Sequence, residues 1–304
     1  MALASRSRPS HRAGLGWGML GVTAFSFTMP FTRIAVETLS PLFVGAGRAV
    51  VAAVLAAAAL AIARQHPPTG MQWARLAVVA AGVVVGFPVL TSLALTTSTA
   101  SHGAVVIALL PAATAVATVL RTGERPRASF WAAAALGAVA AIVFATLNGG
   151  GFALESADLL LLGAVVAAAI GYAEGGMLAR ELGAWQTVSW ALVLALPVMA
   201  ALTLSSALVE PPTAPLEGWL AFAYLSVVSM FLGFIAWYRG LAIGPMARVS
   251  QVQLIQPVLS IAWAALLLRE QVTLLTVLGG LAVIACAGLA VRSRTPAPTA
   301  LSPR

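Results

Sequence analysis

Residues 159–180 read LLLLGAVVAAAIGYAEGGMLAR: twelve apolar or small residues, then a carboxylate, Glu174, set among glycines, and a closing arginine. An α-helix needs about 20 largely apolar residues to cross roughly 30 Å of hydrocarbon, and this stretch supplies them. Barrel strands would alternate polar and apolar positions instead. The rest of the chain has the same character: 61% of its 304 residues are hydrophobic and 9% are charged, with a mean hydropathy of +0.97. Soluble domains carry about 25% charged residues. The fold class is therefore all-α and integral to a membrane.

Apolar runs fall near residues 14–34, 41–63, 74–95, 102–120, 128–147, 158–179, 185–208, 217–238, 246–268 and 273–291, which predicts ten spans. The connections are short and rich in turn formers, such as RQHPPTG (64–70), NGGG (148–151) and EPPTAP (210–215), leaving no room for a soluble domain. The first run follows Arg6, Arg8, His11 and Arg12. It is longer than the apolar region of a cleaved signal and is expected to stay as an anchor. Residues 1–13 and 292–304 are expected to be tails.

Orientation follows from arginine, because all 17 basic residues are Arg. A cytoplasmic N-terminus places 14 of them on or near the inner side and leaves only Arg33, Arg48 and Arg269 toward the outside, as positive-inside orientation requires. Both termini are then expected in the cytoplasm and the protein in the inner (plasma) membrane. The formal charge of +8 is a topology and anionic-lipid signal and calls for no nucleic acid.

Shifting the chain by 146 residues lays Pro111 on Pro257 and Glu124 on Glu270, so LLPAATAVATVLRTGE reads against LIQPVLSIAWAALLLRE. The same shift lays FSFTMP (25–30) on GYAEGG (171–176). Two units, 14–147 and 158–291, are expected, each with five spans. Five is odd, so the second unit enters the membrane the other way up, the construction of many secondary transporters.

These two P-x12-E signatures, Arg48 in GAGRAVVAAVLAAA, the ten spans and the chain length together resemble the EamA-type proteins of the drug/metabolite transporter superfamily. The resemblance covers about residues 14–291. It implies a ten-helix basket, a central cavity lined by the first, third, fourth, sixth, eighth and ninth helices, and export of amino acids or other small metabolites. One departure is that Gly123 precedes the first acidic residue whereas Arg269 precedes the second.

Six residues are candidate binding or coupling groups: Glu174, Thr28, Gln253, Gln256, Ser260 and Ser26. Glu174 reads in two ways, as a cavity carboxylate or as the partner of an arginine such as Arg239 or Arg121. Its glycines suit tight packing or an unwound wall. Thr28 is its repeat partner, beside Ser26 and the helix-breaking Pro30. Gln253, Gln256 and Ser260 fall within one 60° sector of the ninth helix, with Trp263 at its edge. Amides avoid lipid, so that face is expected against the cavity, with interhelical hydrogen bonds as the alternative. Arg48 is expected to pair with Glu37 at the outer rim, and Trp237 and Tyr238 to anchor at the inner boundary.

Enzyme chemistry is not expected, since His11, His66 and His102 are isolated in sequence and Cys286 is a lone thiol. No cofactor or metal site is expected. Without lysine there is no P-loop, so transport by this chain would draw on a gradient. The expected partners are a small-molecule substrate and membrane lipids, and a homodimer is compatible with the pattern. The alternative is a non-transporting scaffold or lipid-handling protein of the same fold.

Overall fold

The computed structural model describes residues 11–123, 127–148, 155–243, 249 and 252–293. Every regular element among them is helical, as hydrocarbon demands of a segment with no water to meet its backbone. In chain order the spans are α1 (Ala13–Val36), α2 (Pro41–Ile62), α3 (Gly70–Ala94), α4 (Ala100–Thr122), α5 (Ala128–Leu147), α6 (Ser156–Glu181), α7 (Ala184–Val209), α8 (Leu216–Ile243), α9 (Gln253–Leu267) and α10 (Leu274–Ser293). All except α9 are long and apolar enough to cross a membrane. The start of the ninth run, with Gln251, lies outside the described residues, as does Glu124.

Several of these helices are irregular. Helix α1 breaks at Phe27, between His11–Ser26 and Thr28–Val36, and α4 is interrupted between Ile107 and Leu110. Helices α3 and α8 each carry a wide π-helical segment, Ala80–Gly86 and Leu225–Leu232. Helix α9 opens on a tight turn, Gln253–Ile255.

The main packing pairs are α1 with α8, α3 with α6, α2 with α7, α5 with α10 and α4 with α6, and α9 packs on both α1 and α4. Exchanging α1–α5 for α6–α10 leaves that set unchanged: α2–α7, α5–α10 and α4–α9 map onto themselves, α1–α8 onto α3–α6, and α4–α6 onto α1–α9. Small side chains let the backbones approach, which is how helices associate when lipid removes the hydrophobic drive. Helix α2 buries Ala46, Ala49, Ala52, Ala53 and Ala56, and α7 buries Ala191 and Ala195. A methyl at Gly82 of α3 would overlap the Ala167 carbonyl oxygen of α6.

Two expectations fail here. Trp237 and Tyr238 are not boundary anchors: they are 2% and 0% exposed. Trp237 backs onto Gly21 of α1, where an added methyl would sit 2.9 Å from its nitrogen, and the Tyr238 ring fills the space that Gly175 of α6 leaves open. Nor does Arg48 meet Glu37. Glu37 lies 3.7 Å from Arg33, one turn back on α1, while Arg48 is 1% exposed and donates to the Thr91 hydroxyl of α3 at 3.3 Å. Its position on α2 faces into the bundle, where a rim carboxylate cannot follow.

The close contact at Gly82 is testable. Gly82→Ala should lower the stability of the detergent-solubilised protein by about 1–3 kcal/mol, since the clash is with backbone that cannot rotate away. Gly16→Ala, at an exposed site with nothing within 4 Å, should be neutral or slightly stabilising. Equal melting shifts in the two variants would contradict this packing.

Candidate functional site

Pro30 has no N–H, so the carbonyl of Ser26, four residues earlier, lacks its helical donor. In lipid such a group must find another partner. The Ser260 hydroxyl of α9 donates to it at 2.7 Å. The Ser26 hydroxyl donates to the Thr23 carbonyl and accepts from the Trp263 indole at 3.0 Å. The Trp263 ring stacks on Phe27, with centroids 4.5 Å apart and planes at 16°. Tyr224 of α8 closes the cluster, edge-on to Phe31 at 4.7 Å. Two residues on from Ser26, Thr28 and Ser229 of α8 share a buried 2.8 Å hydrogen bond. The break in α1 is thus held by α8 and α9.

Helices α4 and α9 carry prolines of the same kind. Pro111 releases the Ile107 carbonyl, and Pro257 releases that of Gln253, which accepts from the Gln256 N–H in the tight turn. Met29, Ile107, Pro111, Gln253, Gln256 and Ser260 line one small void where α1, α4 and α9 meet. Its volume of about 10 Å³ is at the threshold for a single water, so the junction is closed to a metabolite in this conformation. The Gln253 Nε2 and Gln256 Oε1 atoms are buried with no hydrogen-bond partner among the described residues.

The structure therefore brings together Ser26, Gln253, Gln256 and Ser260, and sets Thr28, two residues on from Ser26, against Ser229. Glu174 sits elsewhere, beside the end of α4 that carries Arg121. One of its oxygens meets the Arg75 Nε of α3 in a short contact, and the other accepts from the Arg121 Nε at 2.8 Å. Arg75 also reaches Glu181 at 2.6 Å. The ion-pair reading of Glu174 is the one observed with Arg121; Arg75 was not foreseen. Arg239 instead lies over the Trp17 ring at 4.6 Å. Helix α6 runs unbroken through its glycines, so these serve close packing and not an unwound wall.

The opposite end of α4 is held in a way the sequence reading did not anticipate. Glu270 accepts from the Ala100 and Ser101 N–H groups at 2.8 and 2.9 Å, and the Thr99 hydroxyl accepts from His102 N–H. These are N–H groups that a helix leaves unmet at its start, where negative charge is also favoured. The His102 Nε2 lies 2.7 Å from Asp158 Oδ1 on α6, both side chains being buried. Arg33 donates to the Leu95 and Thr96 carbonyls at the end of α3. The positions of His102 and Asp158 at neighbouring span ends were the available signal.

The sequence pattern of the EamA-like transporter family matches twice, over residues 12–146 and 155–292. The chain belongs to the EamA-like transporter family. A relative from Bacillus subtilis (strain 168), named uncharacterized transporter YdeK, is 45% identical over 279 residues, covering 91% of this chain and 97% of the relative. A crystal structure of a further protein aligns with a TM-score of 0.62 at 19% identity, over 92% of this chain and 97% of the other, and shares the fold. This member of the EamA-like family is a multi-pass membrane transporter.

The two bonding patterns can be tested separately. Ser260→Ala should cost about 1–3 kcal/mol by leaving the Ser26 carbonyl unmet. In a Pro30→Ala background, where the substituted residue supplies an N–H that can meet that carbonyl, the same change should cost little; additive melting shifts would refute the pairing. Glu174→Gln should cost about 2–4 kcal/mol, less than a fully buried pair because the Arg121 side chain is 55% exposed. An unchanged thermal midpoint would show that the two arginines do not depend on the carboxylate.

Proposed function

We propose that the protein is a gradient-driven secondary transporter that exports amino acids or similar small metabolites across the inner membrane by alternating access of two inverted halves. The observation that carries this is the meeting of three proline-broken helices, α1, α4 and α9, on two amides, Gln253 and Gln256, each with a buried polar atom that has no hydrogen-bond partner among the described residues. Broken helices expose backbone dipoles near mid-membrane, and transporters place substrate there. Gln253 and Gln256 offer both donors and acceptors, which suits the ammonium and carboxylate of an amino acid. Ser26, Ser260 and Thr28 flank that site, and Glu174 acts from the inner end of α4.

The five-span units and the exchange-symmetric packing support the inverted arrangement, and the arginine distribution supports cytoplasmic termini. In that orientation the Glu270, Arg33 and His102–Asp158 contacts close the outer end of the bundle. The Arg75–Glu174–Arg121 cluster stands at the inner end. Alternating access then exchanges which end of α4 is held.

In reconstituted vesicles, Gln253→Ala and Gln256→Ala should weaken counterflow of a transported amino acid about 10–100-fold in apparent affinity, the loss of one or two hydrogen bonds to a charged group. Melting temperature should hold, because neither the Gln253 Nε2 nor the Gln256 Oε1 has a partner to lose among the described residues. Normal affinity in both variants would remove these residues from the substrate path. In a Cys286→Ala background, Thr97→Cys should react with an impermeant thiol reagent from outside and His66→Cys should not; the reverse pattern would overturn the orientation.

A further inference from the structure

A groove of about 710 Å³ runs between α4, α5 and α6, with Val78 of α3 at its edge. Apart from Arg121 and Glu174, every lining residue is Ala, Val, Leu or Ile. It opens sideways from the bundle, for Val166 and Ile170 on its rim are 57% and 47% exposed and Leu120 is 71% exposed. The gap exists because α5 packs on α10, away from α6.

The groove has a length and a polarity. On α4 it extends from Leu109 to Arg121 and on α6 from Leu162 to Glu174. Twelve residues at about 1.5 Å each give ~18 Å on both walls, close to the ~15 Å that one leaflet contributes to a 30 Å hydrocarbon core. Among the residues that line the groove the charged ones, Arg121 and Glu174, both lie at one end. The lining helices and α3 present Arg75, Arg121, Arg127 and Arg180 there, against Glu174 and Glu181, a net charge of +2. Arg121 is half exposed beside the groove, its Nε turned to Glu174, and Arg127 is exposed just ahead of α5.

We infer that this groove binds one membrane phospholipid with an anionic headgroup, its acyl chains lying upright along α4 and α6 and its phosphate at Arg121 and Arg127. The apolar walls fit acyl chains, the length fits a single leaflet, and the net positive end fits an anion. An elongated transport substrate would need a path to the α1–α4–α9 junction, whereas this groove faces lipid. The choice of the cytoplasmic leaflet rests on the orientation proposed above; the binding itself does not. The lipid would fill the space between α5 and α6 and touch the same arginine that holds Glu174.

The test is native mass spectrometry of the full chain in detergent, titrated with phosphatidylglycerol or phosphatidylcholine. Phosphatidylglycerol should be retained about 25-fold better, at about fivefold for each of two net positive charges. Arg127→Gln should reduce that preference about fivefold. Ala117→Phe and Ala138→Phe narrow the groove from opposite walls, and each should abolish retention while helical circular dichroism is unchanged. Equal retention of the two lipids, or retention that survives both wall substitutions, would overturn the proposal. So would displacement of the lipid by a compound the protein effluxes. Failure of the transport reading would appear separately, as absent counterflow with lipid retention intact.

Discussion

A proline in a membrane helix leaves one carbonyl without its donor, and in hydrocarbon that carbonyl must be met by something else in the protein. The centre of this structure is organised by that requirement. Pro30 releases the Ser26 carbonyl, and the donor comes from Ser260, on a helix over two hundred residues away. The bond fixes α9 against α1, places Trp263 on Phe27 and leaves Gln253 and Gln256 beside the junction. The start of α4 obeys the same rule from the donor side, where Glu270 meets two N–H groups. In each case the residue that completes one half of the chain belongs to the other half, so satisfying the backbone and assembling the halves are one event.

Charge follows a similar economy. Glu174 and Glu181 hold arginines, Glu270 meets the start of α4, and Asp158 meets the start of α6. Arg48 is the exception. It is buried in α2, has no carboxylate partner among the described residues, and its Nε has no hydrogen bond among them. A buried cation of this kind is costly, and the Thr91 hydroxyl, which gives its own proton to the Phe87 carbonyl, offsets only part of that cost.

The spans, their order and the sharing of one face by Gln253, Gln256 and Ser260 were legible in the sequence, because hydropathy and helical period are local properties. Pro30 and Ser26 were legible as a weak point for the same reason. Pairings across helices were not. Glu37 is four residues from Arg33 and pairs with it, yet the deeper Arg48 drew the expectation because depth can be read from sequence and azimuth about the bundle cannot. Trp237 and Tyr238 sit where boundary aromatics belong by depth. Their burial depends on glycines at positions 21 and 175, on other helices, whose missing side chains make the space. Glu174, Arg121 and Arg75 could all be placed at the inner end of the bundle, but not the pairing of Arg75 with Glu174, which arises because α3 approaches α6 through Gly82 and Gly171.

On the alternating-access reading, α4 is the element both ends of which are held, and the carboxylates that hold it all come from the second half: Glu270 and Asp158 at one end, Glu174 at the other. Breaking a buried, hydrogen-bonded ion pair costs about 3–5 kcal/mol, and less where a partner is exposed as Arg121 is. Shifting a two-state equilibrium from one side to the other takes about 5.5 kcal/mol of differential binding. The two quantities are of the same size. A ligand that engages the Gln253 and Gln256 amides in only one state thus needs just a few favourable contacts to trade one end's fastening for the other's, whereas a chain of deeper, drier ion pairs would lock α4 in place.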